Sequence, residues 1–392
     1  MSHSDREHDH DASKTPKSPR GKGLRAKLQS ESLEDRILLS ATWVDADTGT
    51  EISGPTDGAD IHNGSDLADI ADGGAGNDTL FGSGGDDALR GGAGDDTLVG
   101  GEGNDHLSSD GGSDVLDGGA DDDTFAIAEA ADGDTVEVQG GSGVDRIDMT
   151  SYSADNATFG DGSITVALDD GGSFTVEYSD VESIDFSDAT ATVLGDADTS
   201  GSIAGDSILL DGSGSVRMEA HHSATVDFSY DADTGALTIQ GNDARIESLE
   251  IDRSEPVSIT DDLRITQSFS DGGASVDASG AHIEFQGNTS ISAGSTSFGD
   301  VTLDAGRVTI DGDIDVDGDL TVERLSRMDG GTVTVSGNIT TTDASVGGNG
   351  TFVLDGSDDQ TISANGGTGE LSNLSIAKDG GSVTITDDIQ IS

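Results

Sequence analysis

A nine-residue repeat constrains the fold of this 392-residue chain more than any other feature. Six units follow one another without a gap from Gly73 to Ala126, and each has an Asp at its sixth position and an apolar residue at its eighth. The sixth-position residues are Asp78, Asp87, Asp96, Asp105, Asp114 and Asp123, and the eighth-position residues are Leu80, Leu89, Leu98, Leu107, Leu116 and Phe125. A flexible Gly/Asp linker has no reason to keep Asp and Leu in phase, so the stretch is predicted to be an ordered array of short units.

The polar positions of these units predict calcium ligands. Glycine permits positive φ, which exposes carbonyl oxygens at tight turns, and short carboxylates beside such turns suit a hard cation. The composition agrees, since 62 of the 78 acidic residues are Asp. The predicted calcium-binding residues are the six sixth-position Asp, the leading Gly73, Gly82, Gly91 and Gly100, and the fifth-position Asn77, Asp86, Asp95 and Asn104.

The units resemble the RTX (repeats-in-toxin) nonapeptide GGxGxDxUx. The resemblance implies a parallel β-roll in which two units form one coil of 18 residues, with Ca²⁺ between successive coils. Asp78, Asp96 and Asp114 would then line one edge, and Asp87, Asp105 and Asp123 the other. The fifth unit departs from the pattern with Ser109 and Asp110 in place of the leading glycines, and the sixth has Asp121 in place of the fourth-position Gly. GGSGVDRID (140–148) matches once more, as a closing unit with Asp145 and Ile147 in the expected places.

The predicted fold class is all-β, with five segments. Residues 1–41 are a disordered basic tail with one short amphipathic helix between Leu24 and Leu39, and eight of the 18 basic residues fall in the first forty. Within the tail, LEDRILLSA (33–41) resembles the LEPR-XLL motif of large bacterial secreted or surface proteins, with Asp35 where that motif has Pro. The other segments are a linker (42–72), the calcium-binding β-roll (73–148), an antiparallel β cap (149–190) and a parallel β-helix or solenoid (191–392).

The solenoid is predicted from a looser repeat. Apolar pairs at Val257/Ile259 and Leu263/Ile265 recur at Val308/Ile310 and Ile314/Val316 and at Val383/Ile385 and Ile389/Ile391, with a partial copy at Val333/Val335/Ile339. The offsets are close to multiples of 25 residues, which predicts coils of that length with three short strands each. A β-sandwich is the alternative, but it gives no reason for such a recurrence.

One segment of this repeat is similar to an EF-hand loop. Asp313, Asp315, Asp317 and Gly318 stand at the right spacing, but Glu323 is eleventh instead of twelfth and the flanks alternate with strand period. These departures favour a solvated corner of the solenoid at residues 313–319 over a calcium site.

The net charge and the absence of known motifs exclude several classes of function. A formal net charge of −60 excludes nucleic acid as a natural partner, because phosphate recognition requires Lys and Arg. The chain has no cysteine, no apolar run long enough to span a membrane, and no zinc-helix, nucleophile-elbow or P-loop motif. No conventional signal peptide is visible, so the export route is open.

Two functions remain. The favoured one is a non-catalytic, calcium-binding bacterial protein, secreted or at the cell surface, with a structural or adhesive role toward a surface or matrix polysaccharide or protein. The alternative is a polysaccharide lyase or epimerase, since such enzymes combine β-helices with RTX modules. Its candidate residues are His221, His222 and Tyr230.

Overall fold

The computed structural model describes residues 42–45, 50–52, 54–160, 162–195, 199–204, 206–211, 214–220, 224–365, 369–371 and 373–391. The basic tail, its predicted helix and the LEPR-XLL-like motif lie outside these residues. The described part consists of strands and one 3₁₀ turn, Ala154–Asn156, so the all-β prediction is confirmed. No helix among these residues is long and apolar enough to cross a membrane.

The N-terminal part is a parallel β-roll preceded by a hairpin of β1 (Thr42–Asp45) and β2 (Thr50–Ile52). Its strands are β3 (Asp60–Asn63), β4 (Ile70–Ala75), β5 (Thr79–Gly84), β6 (Ala88–Ala93), β7 (Thr97–Glu102), β8 (His106–Ser109), β9 (Val115–Ala120), β10 (Thr124–Ile127), β11 (Thr135–Ser142) and β12 (Arg146–Met149). Odd-numbered strands form one sheet and even-numbered strands the other, so each coil contributes one strand to each sheet.

The register of the roll gives the predicted 18-residue coil. Leu80 pairs with Leu98, and Leu98 with Leu116, while the opposite sheet pairs Leu89 with Leu107. The eighth-position residues are fully buried and form two facing apolar ladders between the sheets. The last coil is longer, because four extra residues after β10 place Val138 opposite Leu116 at a separation of 22.

The roll begins upstream of the predicted boundary. Asp60–Asn63 pairs in parallel with β5, and Ile70–Ala75 pairs in parallel with β6. Residues 60–72, assigned to a linker by the sequence, therefore form the first coil.

An antiparallel segment follows the roll and extends further than the predicted cap. It contains β13 (Ala157–Gly160), β14 (Ser163–Ala167), β15 (Ser173–Ser179), β16 (Ser183–Phe186), β17 (Thr190–Val193), β18 (Thr199–Ala204), β19 (Ser207–Asp211), β20 (Gly214–Ala220), β21 (Thr225–Asp231), β22 (Ala236–Gln240) and β23 (Ala244–Arg253). β13–β15 add to the edge of the first sheet, and β18–β23 pair mostly antiparallel. Parallel coils resume where β22 and β23 pair with the strands that follow.

The C-terminal part is a parallel solenoid with three strand faces per coil. Its strands are β24 (Val257–Thr260), β25 (Leu263–Ser270), β26 (Val276–Ala293), β27 (Thr296–Val316), β28 (Leu320–Glu323), β29 (Arg327–Asp329), β30 (Thr332–Val335), β31 (Ile339–Thr342), β32 (Gly347–Gly348), β33 (Thr351–Leu354), β34 (Gln360–Ala364), β35 (Gly369–Leu371), β36 (Leu374–Ile376), β37 (Val383–Ile385) and β38 (Ile389–Ile391). β26 and β27 are long because they continue through corners of the coil.

The predicted coil length of 25 residues is wrong. Val257 pairs with Val276 and Val301 with Leu320, so a coil takes 19 residues there, lengthening to 23 where Gln360 pairs with Val383. The aligned copies lie on different faces of the solenoid, because a step of 25 residues is about one coil and a third. All three faces carry alternating inward apolar residues, and the pattern therefore recurs on the next face as well as on the next coil.

Two apolar cores run through the protein. The first spans Ala71 to Leu210 and lies inside the roll and the strands joined to it, and the second spans Leu194 to Leu371 inside the solenoid. Phe269, Phe285 and Phe298 pack edge-to-face in the second core with ring centroids 5.5 to 6.3 Å apart. Each coil therefore depends on its neighbours for burial.

Candidate calcium sites

The sixth-position carboxylates of the roll form two hydrogen-bonded rows. In the first row, the backbone N–H of Asp60 donates to Asp78 Oδ1 at 2.7 Å, and that of Asp78 donates to Asp96 Oδ1 at 2.7 Å. The N–H of Asp96 donates in the same way to Asp114 Oδ1 at 2.8 Å. The second row runs through Asp69, Asp87, Asp105, Asp123 and Asp145 and ends on Glu182 Oε2. The 18-residue coil thus separates alternate repeats into two rows, as the register predicts.

The second oxygen of most of these carboxylates is buried without a hydrogen bond. Six residues have such an Oδ2, namely Asp78, Asp87, Asp96, Asp105, Asp123 and Asp145, and each side chain belongs to a residue at most 2% exposed. A buried charged oxygen without a partner is strongly unfavourable. The six oxygens therefore require a cation or a proton.

The first position of each unit is a glycine, and the absence of a side chain there lets that oxygen lie close to the main chain. A β-carbon added at any of Gly73, Gly82, Gly91, Gly100, Gly118 and Gly140 would lie within 3.0 Å of Oδ2 of the Asp five residues later. At five of the six, the same position lies within 3.0 Å of a main-chain carbonyl oxygen from the next coil, those of Gly91, Gly100, Gly118, Gly140 and Asp180. We call each such space, between an Asp Oδ2 and its first-position glycine, a cradle.

The electrostatics of the cradles disfavour bare carboxylates. Burial raises the pKa of Asp87 and Asp96 to about 6 and the pKa of Asp123 to about 7, and neighbouring carboxylates add to the effect. The pKa values of Asp78, Asp105 and Asp145 are also raised, again mainly by burial. A cation would remove this penalty by supplying the opposite charge.

The cradles fit Ca²⁺, a hard cation that takes carboxylate and carbonyl oxygens. In most of them an anionic oxygen from one coil faces a carbonyl oxygen from the next, so a bound ion would join adjacent coils. No three His, Cys, Asp or Glu side chains in the described ranges converge in a metal-binding arrangement. The remaining ligands must therefore include main-chain carbonyls, for which the glycine turns provide access.

The model of the RTX calcium-binding nonapeptide repeat family, which describes four copies, matches residues 63–98 and 90–125. Residues 63–125 are RTX calcium-binding repeats. Neither the curated proteins nor the solved structures contain a match to the chain.

The RTX array includes units that the sequence analysis missed. GSDLADIAD (64–72) precedes Gly73 directly, with Asp69 at its sixth position and the buried Ala71 at its eighth. One unit earlier, Asp60 and His62 occupy these positions. Asp60, Asp69 and Asp78 are spaced by nine residues, and this spacing was a usable signal despite the missing glycine pairs.

The fifth-position residues, which the sequence also predicts as calcium ligands, form hydrogen bonds to the main chain of the next coil. Asn77 Oδ1 accepts the N–H of Asp95 at 3.1 Å, and Asp86 Oδ1 accepts that of Asn104 at 3.0 Å. Asp95 and Asn104 accept from the following coil in the same way. All four side chains are exposed, so they link coils on the outside of the turns, while the buried cradle oxygens belong to the sixth-position Asp.

The EF-hand-like segment does not form a closed loop. Residues 313–316 lie at the end of β27, with Ile314 and Val316 buried and Asp313 and Asp315 alternating with them. Asp319 lies at a corner, where its N–H donates to Asp300 Oδ1 and its own Oδ1 accepts the N–H of Asn338 at 2.7 Å. Gly-Asp or Gly-Asn pairs at 299, 318 and 337 mark this corner in successive coils, and their 19-residue spacing was the signal for the true period.

The residues of the lyase alternative are only partly described. His221 and His222 lie outside the described residues. Tyr230 lies in β21, half-buried against the solenoid core. The nearby Arg253 is buried in an ion pair with Asp211, 2.5 Å between Nη2 and Oδ2.

Proposed function

We propose that this protein is a non-catalytic, calcium-binding structural or adhesive protein, secreted or held at the cell surface, whose RTX roll folds when it binds Ca²⁺ outside the cell. The observation that carries the proposal is the set of six buried, unpartnered Oδ2 atoms, each beside a first-position glycine and, in five cases, close to a carbonyl oxygen of the next coil. The RTX match supports the identity of the ion.

Charge repulsion makes folding depend on the ion. Residues 73–148 carry 19 acidic side chains against Arg90 and Arg146, and the core between the two sheets has mostly one Leu per strand. Neutralisation of the carboxylates must therefore precede stable packing of the Leu ladders.

The affinity typical of extracellular calcium modules supports the proposed location outside the cell. Extracellular calcium modules bind at roughly 10⁻⁴ to 10⁻³ M, so a roll of this kind stays unfolded at cytosolic calcium and folds after export. RTX repeat proteins are typically secreted, and the LEPR-XLL-like motif in the tail agrees with that location.

The non-catalytic role rests on the chemistry of the solenoid surface. Its exposed side chains are mainly Asp and Ser, and most of its described arginines are held by carboxylates, as Arg264 is by Asp243 and Glu284. Such a surface repels anionic polysaccharides and favours contact with other partners, including through bound cations.

Calcium titration of the full chain tests the proposal. We expect millimolar Ca²⁺ to increase β-structure by circular dichroism and to protect the strands of the roll from hydrogen exchange, whereas Mg²⁺ does so much less. Unchanged spectra and exchange would refute calcium-dependent folding. Turnover of alginate or pectate that disappears in His221→Ala or Tyr230→Phe would replace the non-catalytic role by the lyase alternative.

A further inference from the structure

The fifth RTX unit fills its own cradle with a side chain. Ser109 stands where the other units have their first glycine, it is 1% exposed, and its hydroxyl donates to Asp114 Oδ2 at 2.5 Å. Asp114 is as buried as its equivalents, and its Oδ1 accepts the N–H of Asp96 in the same way. The difference between this unit and its neighbours is therefore confined to the oxygen that faces the cradle.

The hydroxyl satisfies the oxygen that elsewhere requires a cation. Asp114 Oδ2 is absent from the buried oxygens without a partner, whereas its row neighbours Asp78 and Asp96 are among them. A glycine at this place brings no side chain to Oδ2, whereas the Ser109 hydroxyl lies on that oxygen, where an ion would have to bind. A neutral hydroxyl also supplies less charge compensation than Ca²⁺, and burial still raises the pKa of Asp114.

A hydroxyl also caps the other row, at its beginning. Asp69 Oδ2 accepts the N–H of Ser65 at 2.6 Å and its hydroxyl at 2.9 Å. Four of the six open cradles, at Asp78, Asp87, Asp96 and Asp105, lie between these two serine-capped positions, and those at Asp123 and Asp145 follow Asp114. Serine thus marks the last repeat of the first row and the first repeat of the second.

From this geometry we infer that Ser109 replaces a calcium ion at Asp114, so that the two rows are unequal. The first row has two open cradles, at Asp78 and Asp96, and the second has four, at Asp87, Asp105, Asp123 and Asp145. The protein binds six Ca²⁺ in the roll at saturation, one for each open cradle. The inference rests on the proposed calcium binding and adds that the Asp114 position binds no ion.

Removal of the Ser109 side chain should create a seventh site. The parallel register continues past Ser109, which pairs with Ile127 of the next coil, so main chain from that coil still lies beside the position. Ser109→Gly in the full chain is therefore expected to bind one more Ca²⁺ than the wild type. The number of ions is read by native mass spectrometry and by equilibrium dialysis at saturating Ca²⁺.

Two further variants make the experiment decisive. Ser108→Gly removes a side chain from the adjacent, outward-facing position of the same strand and should leave the number of ions unchanged. Gly91→Ser introduces the hydroxyl one coil earlier, beside Asp96, and should remove one ion while calcium still folds the roll. Equal or lower binding in Ser109→Gly than in the wild type would overturn the inference, as would an unchanged number in Gly91→Ser. Absence of binding by the wild type would instead refute the proposed function.

Discussion

Replacement of Asp96 by Asn should have opposite effects on the roll without and with calcium. Asp96 is 1% exposed, its Oδ1 accepts the N–H of Asp78, and its Oδ2 has no partner. Asn keeps an oxygen for that hydrogen bond and has nearly the same shape, but it carries no charge. The substitution therefore tests the charge of one cradle with little change in packing.

The expected change in the free energy of unfolding follows from the pKa of Asp96. Burial raises the pKa of Asp96 from 3.8 to about 6, and at pH 7.5 the side chain is charged in both the folded and the unfolded state. The folded state without calcium is then less stable by about 3 kcal/mol than it would be with an ordinary carboxylate. In chelator, Asp96→Asn should recover most of this lost stability. With 5 mM Ca²⁺ and a Kd of roughly 10⁻⁴ to 10⁻³ M, loss of one site costs about 1 to 2 kcal/mol of calcium-dependent stabilisation.

Hydrogen exchange of β7, measured on the full chain at pH 7.5, reports both effects locally. Compared with the wild type, Asp96→Asn should be more protected in chelator and should gain less protection on addition of calcium. The control is Asp95→Asn, because Asp95 is exposed, its Oδ1 accepts the N–H of Ser113, a bond that Asn can keep, and its charge raises the pKa of Asp96 less than burial does. The reasoning fails if Asp96→Asn is no more protected than the wild type in chelator, or if its gain with calcium equals that of the wild type.

Two further predictions concern pH and the solenoid. The pKa values of Asp87 and Asp96 are about 6 and that of Asp123 is about 7, whereas the ordinary value in an unfolded chain is 3.8. Between about pH 4 and 7 the folded roll therefore binds more protons than the unfolded chain. In chelator its stability should therefore rise as pH falls from 7.5 to 5, seen as increased β-structure by circular dichroism; a flat or falling signal would contradict this. Phe298→Ala removes a fully buried ring from the Phe cluster and should destabilise the solenoid by about 3 to 5 kcal/mol, to the same extent in calcium and in chelator. Urea unfolding followed by hydrogen exchange of β27 measures it, and a calcium-dependent loss would argue against an independent solenoid.

The roll was predictable because its predicted calcium ligands and its core residues belong to the same short unit. The Asp at the sixth position and the Leu at the eighth repeat in phase, and a period of nine with strand alternation allows few arrangements other than two strands per coil. The first coil was missed because the units containing Asp60 and Asp69 lack the glycine pairs, although they keep the Asp spacing.

The solenoid shows what an apolar pattern leaves undetermined. Pairs such as Val257/Ile259 predict inward-facing strands, and these residues are buried as expected. The pattern does not say which face of the coil each pair occupies, because all three faces bury the same kinds of side chain. The register of Val257 with Val276 fixes the coil at 19 residues there, in agreement with the 19-residue spacing of the Gly-Asp and Gly-Asn pairs at the corner.

The sequence by itself determined that the chain is all-β and contains RTX repeats, and it predicted calcium as the ion and the sixth-position Asp as its main ligands. The tertiary structure decided which oxygen of each Asp is available, since one is used by the N–H of the preceding coil and the other faces the cradle. It also separated the exposed Asp95 from the buried Asp96, and it placed the Ser109 hydroxyl on Asp114. These distinctions depend on contacts between residues 18 positions apart or on the direction of a side chain within a turn, and neither is encoded in residue type and spacing alone.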